Sequence, residues 1–388
     1  MRVLVAGAGL AGLTFAAALE RLGAGIEVEL VDERPALGGG AAITLAPNAL
    51  AALDHVGLGD VVRRLGAPAD AGTVRRPDGS VIRSLDAART ARLLGEPVRV
   101  VDRGELQEAL RERLADASVR LGSPVVRVRR PLPGRVVVDL GDGERLEADA
   151  LVGADGFRSA VARALDPRVE ATYAGCTAWR GVAATSVDPS LHGVVWGDRC
   201  EAGVAPMTDG RTYWFATTVA PPDRSEDPGL FGPVRERLLA WGDPWPGLLA
   251  ASGEVGAPIG LQDRTGPRRW ASGEVVVIGD AAHPMQPALG QGGAQAIVDA
   301  VLLAELLTSR PDRPAEAFVT FARARRRRVR PVVAASARAL HAIHGDRLVD
   351  RLARRAAEAV PQPLLEQALR RVASSEAWRS ARDAALAD

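Results

Sequence analysis

Gly7, Gly9 and Gly12 stand in GxGxxG spacing within "VAGAGLAGL", after an apolar run and before a stretch of helical periodicity. At such a strand-to-helix turn the first glycine permits the tight bend and the second lets backbone approach a pyrophosphate. The third allows close helix packing, and the helix N-terminus offers oriented N–H groups to an anion. Asp32 follows at the end of the next apolar run, about twenty residues on, where an acid is placed to bond a ribose hydroxyl. A second stretch, "ALVGADGFRSAV", ends an apolar run at Gly153 and then sets down Asp155 and Gly156. A third, "GDAAHPMQPALGQGGAQAIVDA" from Gly279 to Ala300, joins a Gly-Asp pair, two prolines and a second glycine cluster to a helical pattern. Glycine and proline punctuate turns regardless of function, so the order and spacing of the three stretches carry the signal. His283 has the chemistry of a base, but it belongs to the "GDAAH" turn and reads as structural.

What the chain lacks also bears on its chemistry. All 49 basic residues are arginine, which excludes Schiff-base chemistry and every mechanism built on a catalytic lysine. Cys176 and Cys200 sit in no metal-like spacing and read as packing residues, and no metal site is expected. A net charge of +1 gives no reason to expect nucleic acid, and "RARRRRVRP" from Arg323 to Pro331 reads as the solvated face of a helix. No apolar run reaches the roughly 18 residues of a membrane span, and the first residues show no signal-peptide pattern. A cytoplasmic protein is expected.

The elements that must position these residues follow from periodicity. "RVLVAG" reads as a strand broken at glycine, "LAGLTFAAALERLG" as a helix stopped at Gly23, and "IEVELVDE" as the next strand. This is a βαβ unit, whose sheet is parallel and covered on both faces. "APNALAALDHVGL" and "DRGELQEALRERLAD" read as helices, and "VVRVRR" with "RVVVDLGDGERLEAD" as strands turned by Gly-Asp-Gly. "TAWRGVAA", "GVVWG", "EAGVAPM" and "TYWFATTVA" are short strands of an expected antiparallel sheet. "EVVVIGD" then returns to the buried-strand pattern, so the first domain is discontinuous. The rest is helical.

With these motifs in this order the chain resembles the single-component FAD-dependent aromatic hydroxylases of the para-hydroxybenzoate and salicylate hydroxylase type. The resemblance runs from Arg2 to about Arg330 and rests on "GAGLAGL", "GGGAAITLAPNALAALDHVGLGD", "DRGELQEAL", "GADGFRSAV", "GCTAWRGVA", "RTYWFAT" and the Gly279–Ala300 stretch. It implies an α/β fold: a Rossmann-type FAD-binding domain over 1–165 and 266–330, interleaved with an antiparallel-sheet substrate domain over 166–265, and C-terminal helices over 331–388. It implies FAD contacts at Gly7, Gly9, Leu10, Ala11 and Gly12, at Asp32 and Glu33, at Ala41 and Ala42, and at Arg103 and Val126. Further contacts are implied at Asp155, Gly156, Gly279 and Asp280, and along Pro287, Gly290, Gln291, Gly292 and Gly293 beside the isoalloxazine ring. NADH or NADPH would be the transient electron donor. A flavin hydroperoxide would hydroxylate an aromatic or polyketide-like small molecule with O₂, the chemistry belonging to the cofactor.

The substrate pocket is expected between the antiparallel sheet and the flavin. Alternation puts either Tyr213 and Phe215 or Trp214 toward it, and relatives place a substrate-contacting tyrosine at the position of Tyr213. Tyr213, Arg180 and Pro287 are the catalytic candidates, with a salt-bridge or cofactor-edge role open for Arg180. The chain departs from the family at Ala294, where relatives carry asparagine, and at Val298, where they carry an acid. No arginine pair marks a carboxylate substrate, so a neutral or weakly acidic aromatic is expected. An epoxidase of the same family, a flavoprotein reductase or dehydrogenase, and a non-catalytic FAD-binding protein are the alternatives, and the chain is a monomer or a homodimer. A flavin-dependent halogenase is set aside, because it needs a lysine near the flavin.

Overall fold

The β-branched and leucine side chains of Arg2–Ala6 leave four of its five residues buried, a state a strand reaches only with both faces covered. This strand lies inside a six-stranded sheet ordered Ala271–Ser272, Val275–Val277, Ala150–Gly153, Arg2–Ala6, Glu27–Val31, Ser118–Arg120. Every pairing is parallel except that of the edge strand Ala271–Ser272. The computed structural model describes all residues except 24, 40, 41, 70, 116, 254 and 388. Helix Leu10–Arg21 packs closely on helix Gly292–Ser309 within the same core. The turn into the first of these helices closes only with glycine: a Cβ on Gly12 would lie 1.9 Å from Gly7 O, and one on Gly7 2.2 Å from Ala154 O.

By length and composition alone helix Gly292–Ser309 is apolar enough to cross a membrane, with a mean hydropathy of 1.2, although Gln295, Asp299 and Glu305 interrupt its apolar run. It spends that apolarity on the core: 72% of it is buried inside the protein.

The second large sheet has seven strands, ordered Ile259–Arg264, Ala171–Ala183, Thr212–Val219, Cys200–Pro206, Gly193–Trp196, Ala71–Arg75, Val81–Asp86. It is wider than the 166–265 span, because the last two strands come from the first part of the chain. It is not wholly antiparallel either, since Gly193–Trp196 pairs in parallel with Ala71–Arg75. Strand alternation divides its faces cleanly. Trp179, Trp214, Ala202 and Val204 point one way and pack on Val234, Leu238, Trp245 and Leu248.

The boundary at 330/331 falls inside one helix, Pro314–His344, which runs unbroken through Pro331. An interior proline costs about 3 kcal/mol relative to alanine; the buried stripe from Phe318 and Phe321 through Val329 and Val332 to Leu340 offsets it. This helix ties the two sheets together, with Phe318 and Phe321 in the first core and Leu340 beside Cys176, Ala178 and Leu261. The chain then returns through Leu348–Ala359, Gln362–Ala373 and Ser375–Leu386, and Trp378 packs back into the first core.

Candidate active site

Between the Gly279–Gly293 segment and the free face of the seven-stranded sheet lies a cavity of about 440 Å³. Its cofactor-side wall includes Gly9, Leu10, Ala11, Ala42, Arg103, Gly156, Asp280, Pro287, Gly290, Gly292 and Gly293, all expected from the sequence. Its opposite wall carries Arg180, Tyr213, Phe215, Thr217 and Glu201. Registry explains the second set: Thr217 stands opposite both Ala178 and Glu201, and Phe215 opposite both Arg180 and Gly203. Tyr213 and Phe215 therefore face the cavity, and Trp214 faces the other core with its Nε1 donating to Ser252 Oγ at 2.8 Å.

The cofactor wall is held by polar contacts behind it. Asp299 is fully buried, and its Oδ2 meets Gly279 N at 2.9 Å and His283 Nε2 at 2.5 Å, while Arg325 Nε donates to its Oδ1 at 2.6 Å. Burial works against this carboxylate, but His283 and Arg325 hold it down to about 2. His283 is thus a structural partner of the turn. Arg264 Nη2 donates to the carbonyls of Asp280 and Ala281 at 2.5 and 2.6 Å and fixes the Gly-Asp pair from outside. Gly293 sits tight against strand Ala42–Leu45: a Cβ there would come within 2.1 Å of Ile43 Cδ1, and that side chain would have to shift.

Other residues expected at the cofactor lie off this cavity or are bonded within the protein. Asp32 accepts from Ala8 N at 2.6 Å and from Arg34 through Nε at 2.8 Å and Nη2 at 3.0 Å. Although burial opposes it, these bonds hold Asp32 below the usual carboxylate range. Arg34, unforeseen from the sequence, spans the glycine turn by donating to Ala8 O at 3.1 Å. Glu33 is exposed. Val126 is 58% exposed and lines no part of the cavity; it falls at a register shift of its strand, Val125–Leu132, between Val125 opposite Leu140 and Arg127 opposite Asp139. Asp155 is turned away from the cavity: it accepts from Ser159 Oγ at 2.5 Å and Ala160 N at 2.7 Å and secures the start of helix Ala160–Leu165. Gln291 is buried outside the lining. Ala294 is also buried, and the amides at this helix start belong to Gln291 and Gln295. Ala41 lies outside the described residues.

The cradle fits a flat dinucleotide. A Cβ on Gly9 would meet nothing within 4 Å, so the turn is open where a phosphate would approach. Arg103 Nε is buried with no hydrogen-bond partner among the described residues, and the side chain borders the cavity. Burial pushes its guanidinium below the ordinary arginine value, against the pull of Asp280. A buried cation left unmatched by the protein is suited to an anionic or carbonyl-bearing ligand.

A family model for the FAD binding domain matches residues 1–336. The chain is similar to the aurachin C monooxygenase/isomerase of Stigmatella aurantiaca, 37% identical over 319 residues covering 81% of this chain and 82% of the relative. It is also similar to the 3-amino-4-hydroxybenzoate 2-monooxygenase of Streptomyces cremeus, 35% identical over 331 residues, with 82% and 81% covered. Among solved structures, Klebsiella pneumoniae HpxO complexed with FAD and uric acid matches with a TM-score of 0.81 and 27% identity, over 100% of this chain and 97% of that one. Fold and cradle together define an FAD-binding flavoprotein. The chain belongs to the single-component FAD-dependent aromatic hydroxylases and is an FAD-dependent monooxygenase that takes its electrons from NAD(P)H.

Proposed function

We propose that this enzyme hydroxylates a neutral or weakly acidic small aromatic held between the Pro287–Gly293 loop and the Tyr213 face of the sheet. The observation that carries the reading is one continuous cavity bounded by the glycine-rich cradle on one side and by Tyr213, Phe215 and Arg180 on the other. Bound FAD supplies the redox chemistry, accepting electrons from NAD(P)H and activating O₂. The chain's own groups bind and orient. The Gly7–Gly12 turn and Arg103 take the cofactor's phosphates or ring edge, and the 287–293 backbone lies along the flat ring. The segments 1–165 and 266–330 serve the cofactor, and 166–265 with its two added strands serves the substrate.

No carboxylate among the described residues pairs with Arg180, which lines the cavity, and this favours a substrate role for it over a structural ion pair. Burial raises the Tyr213 phenol above its ordinary value and Arg180 draws it back, so Tyr213 acts as a neutral hydrogen-bonding group that orients a substrate hydroxyl or carbonyl. The enzyme acts in the cytoplasm as a monomer or homodimer, without nucleic acid or membrane.

NAD(P)H oxidation by the yellow protein, measured with phenols, quinones and polyenes while hydrogen peroxide is recorded, tests the reading. A neutral aromatic is expected to accelerate oxidation and give a product heavier by one oxygen as peroxide falls. Tyr213→Phe is expected to keep FAD and lose about tenfold in product per NAD(P)H consumed. Reducing power leaving wholly as peroxide with every compound would overturn it.

A further inference from the structure

Glu201 was given no role by the sequence, and it stands inside the cavity. It is 7% exposed, on the same face as Thr217 and Phe215, at the end where helix Pro314–His344 delivers Leu340. One carboxylate oxygen, Oε1, accepts from Trp196 Nε1 at 3.0 Å. No donor among the described residues reaches the other, Oε2. A buried carboxylate is costly unless its lone pairs are met, and the rest of this corner is fully partnered. Thr217 Oγ1 meets His344 Nε2 at 2.8 Å, and Arg354 is spent on the carbonyls of Gly197 and Trp196 at 2.8 and 2.9 Å. An acceptor is left pointing into space meant for a ligand.

Across the sheet stand the opposite groups. Arg180 and Glu201 are two strands and two residues apart, about 12 Å between Cα atoms at ordinary strand spacing and rise. Their side chains leave room for a one- or two-ring aromatic between them. Resting on the reading of this cavity as the site of aromatic hydroxylation, we propose that Glu201 is a specificity-determining residue. It selects a neutral aromatic that presents an N–H or O–H donor to its carboxylate and an acceptor oxygen, on the opposite edge, to Arg180 and Tyr213. Aromatic acids are rejected at this end by like charge.

Burial pushes the Glu201 carboxyl up to about 7, opposed by Trp196 and Arg354. The groups around it hold one state across neutral pH. Burial sends Cys176 to about 12 and Cys200 to about 11, and it lowers His344 to about 4; Tyr213 is raised, and Arg180 and Arg354 are arginines. Charge-based rejection of acids therefore strengthens as pH rises through about 7.

The test uses the FAD-bound protein and three probes of one shape, in which only the first carries a donor: 1-amino-5-methoxynaphthalene, its N,N-dimethyl analogue and 5-methoxy-1-naphthoate, with Kd read from the flavin absorbance. At pH 8 the wild type is expected to bind the amine about tenfold or more tightly than either other probe, because each leaves the buried carboxylate unmatched or repelled. At pH 6 the margin over the naphthoate shrinks. In Glu201→Gln that margin is small and independent of pH, and in Glu201→Leu the dimethyl probe overtakes the amine. Equal binding of the three probes by the wild type, or an unchanged margin in both variants, would overturn the assignment. Should a variant lose its fold, seen as loss of FAD, the wild-type series and its pH dependence decide alone. A wild type that holds FAD and oxidises NAD(P)H but shows no probe preference sinks this inference only. One that does neither sinks the monooxygenase reading, and this inference with it.

Discussion

Asp299 and Glu201 are both carboxylates buried between secondary elements, and their surroundings treat them in opposite ways. Asp299 sits behind the cofactor loop with each oxygen bonded, to His283 and Gly279 on one side and Arg325 on the other. Its ionised form is favoured, down to about 2. Glu201 sits at the substrate end with one indole donor, and its ionised form is disfavoured, up to about 7. A carboxylate whose partners all come from the protein holds structure together. One whose partners are incomplete lowers the stability of the empty site and gains its complement from a ligand. The cofactor wall is built to stay fixed and the substrate wall to discriminate.

Asp299→Ala is the severest way to probe the contrast. It leaves Arg325 buried without its counter-charge and frees the Gly279 turn, and a loss of about 3–5 kcal/mol in unfolding free energy is expected. Because the folded carboxyl lies below its unfolded value, the contribution is present above about pH 4 and fades as pH falls toward 2. Chemical denaturation across that range checks both the size and the sign.

Glu201→Gln carries the opposite sign. A carboxyl raised in the folded state destabilises wherever the unfolded chain is ionised and the folded one resists. The variant is therefore expected to equal the wild type below about pH 4.5 and to exceed it progressively as pH rises to about 7. At pH 8 a gain of about 1–3 kcal/mol is expected for the ligand-free protein. Denaturation at pH 5 and pH 8 decides; a loss of stability at pH 8 would mean that Glu201 is paired like Asp299.

Trp196→Phe makes the smallest change. It removes the one donor to Glu201 Oε1, costing about 1.5 kcal/mol at pH 8, where the acceptor is charged, and less at pH 5. Equal costs at the two pH values would show that the indole contributes through packing alone, for instance against Arg354, whose guanidinium lies 6.0 Å from its ring centre.

The cofactor wall was legible in the amino-acid sequence because backbone geometry creates it. Gly7 and Gly12 are where no Cβ can stand against the neighbouring backbone, and such positions announce themselves as residue types at short spacing. The local partners of the acidic side chains were not legible: Asp32 accepts from Arg34 two residues on, and Asp155 from the start of the helix that follows it. Val126 followed family habit and meets solvent instead.

By itself, then, the sequence determined the nucleotide cradle, the βαβ start and the absence of lysine chemistry, since each depends on residues near one another along the chain or on composition. Which face of "TYWFATTVA" looks at the cavity, the placing of Glu201 opposite Thr217, and the arrival of Leu340 from far down the chain were decided by tertiary structure. Alternation gives a strand two equivalent faces. Only the packing of Trp214 and Trp179 against Val234 and Leu238 removes that equivalence, and with it chooses the residues a substrate meets.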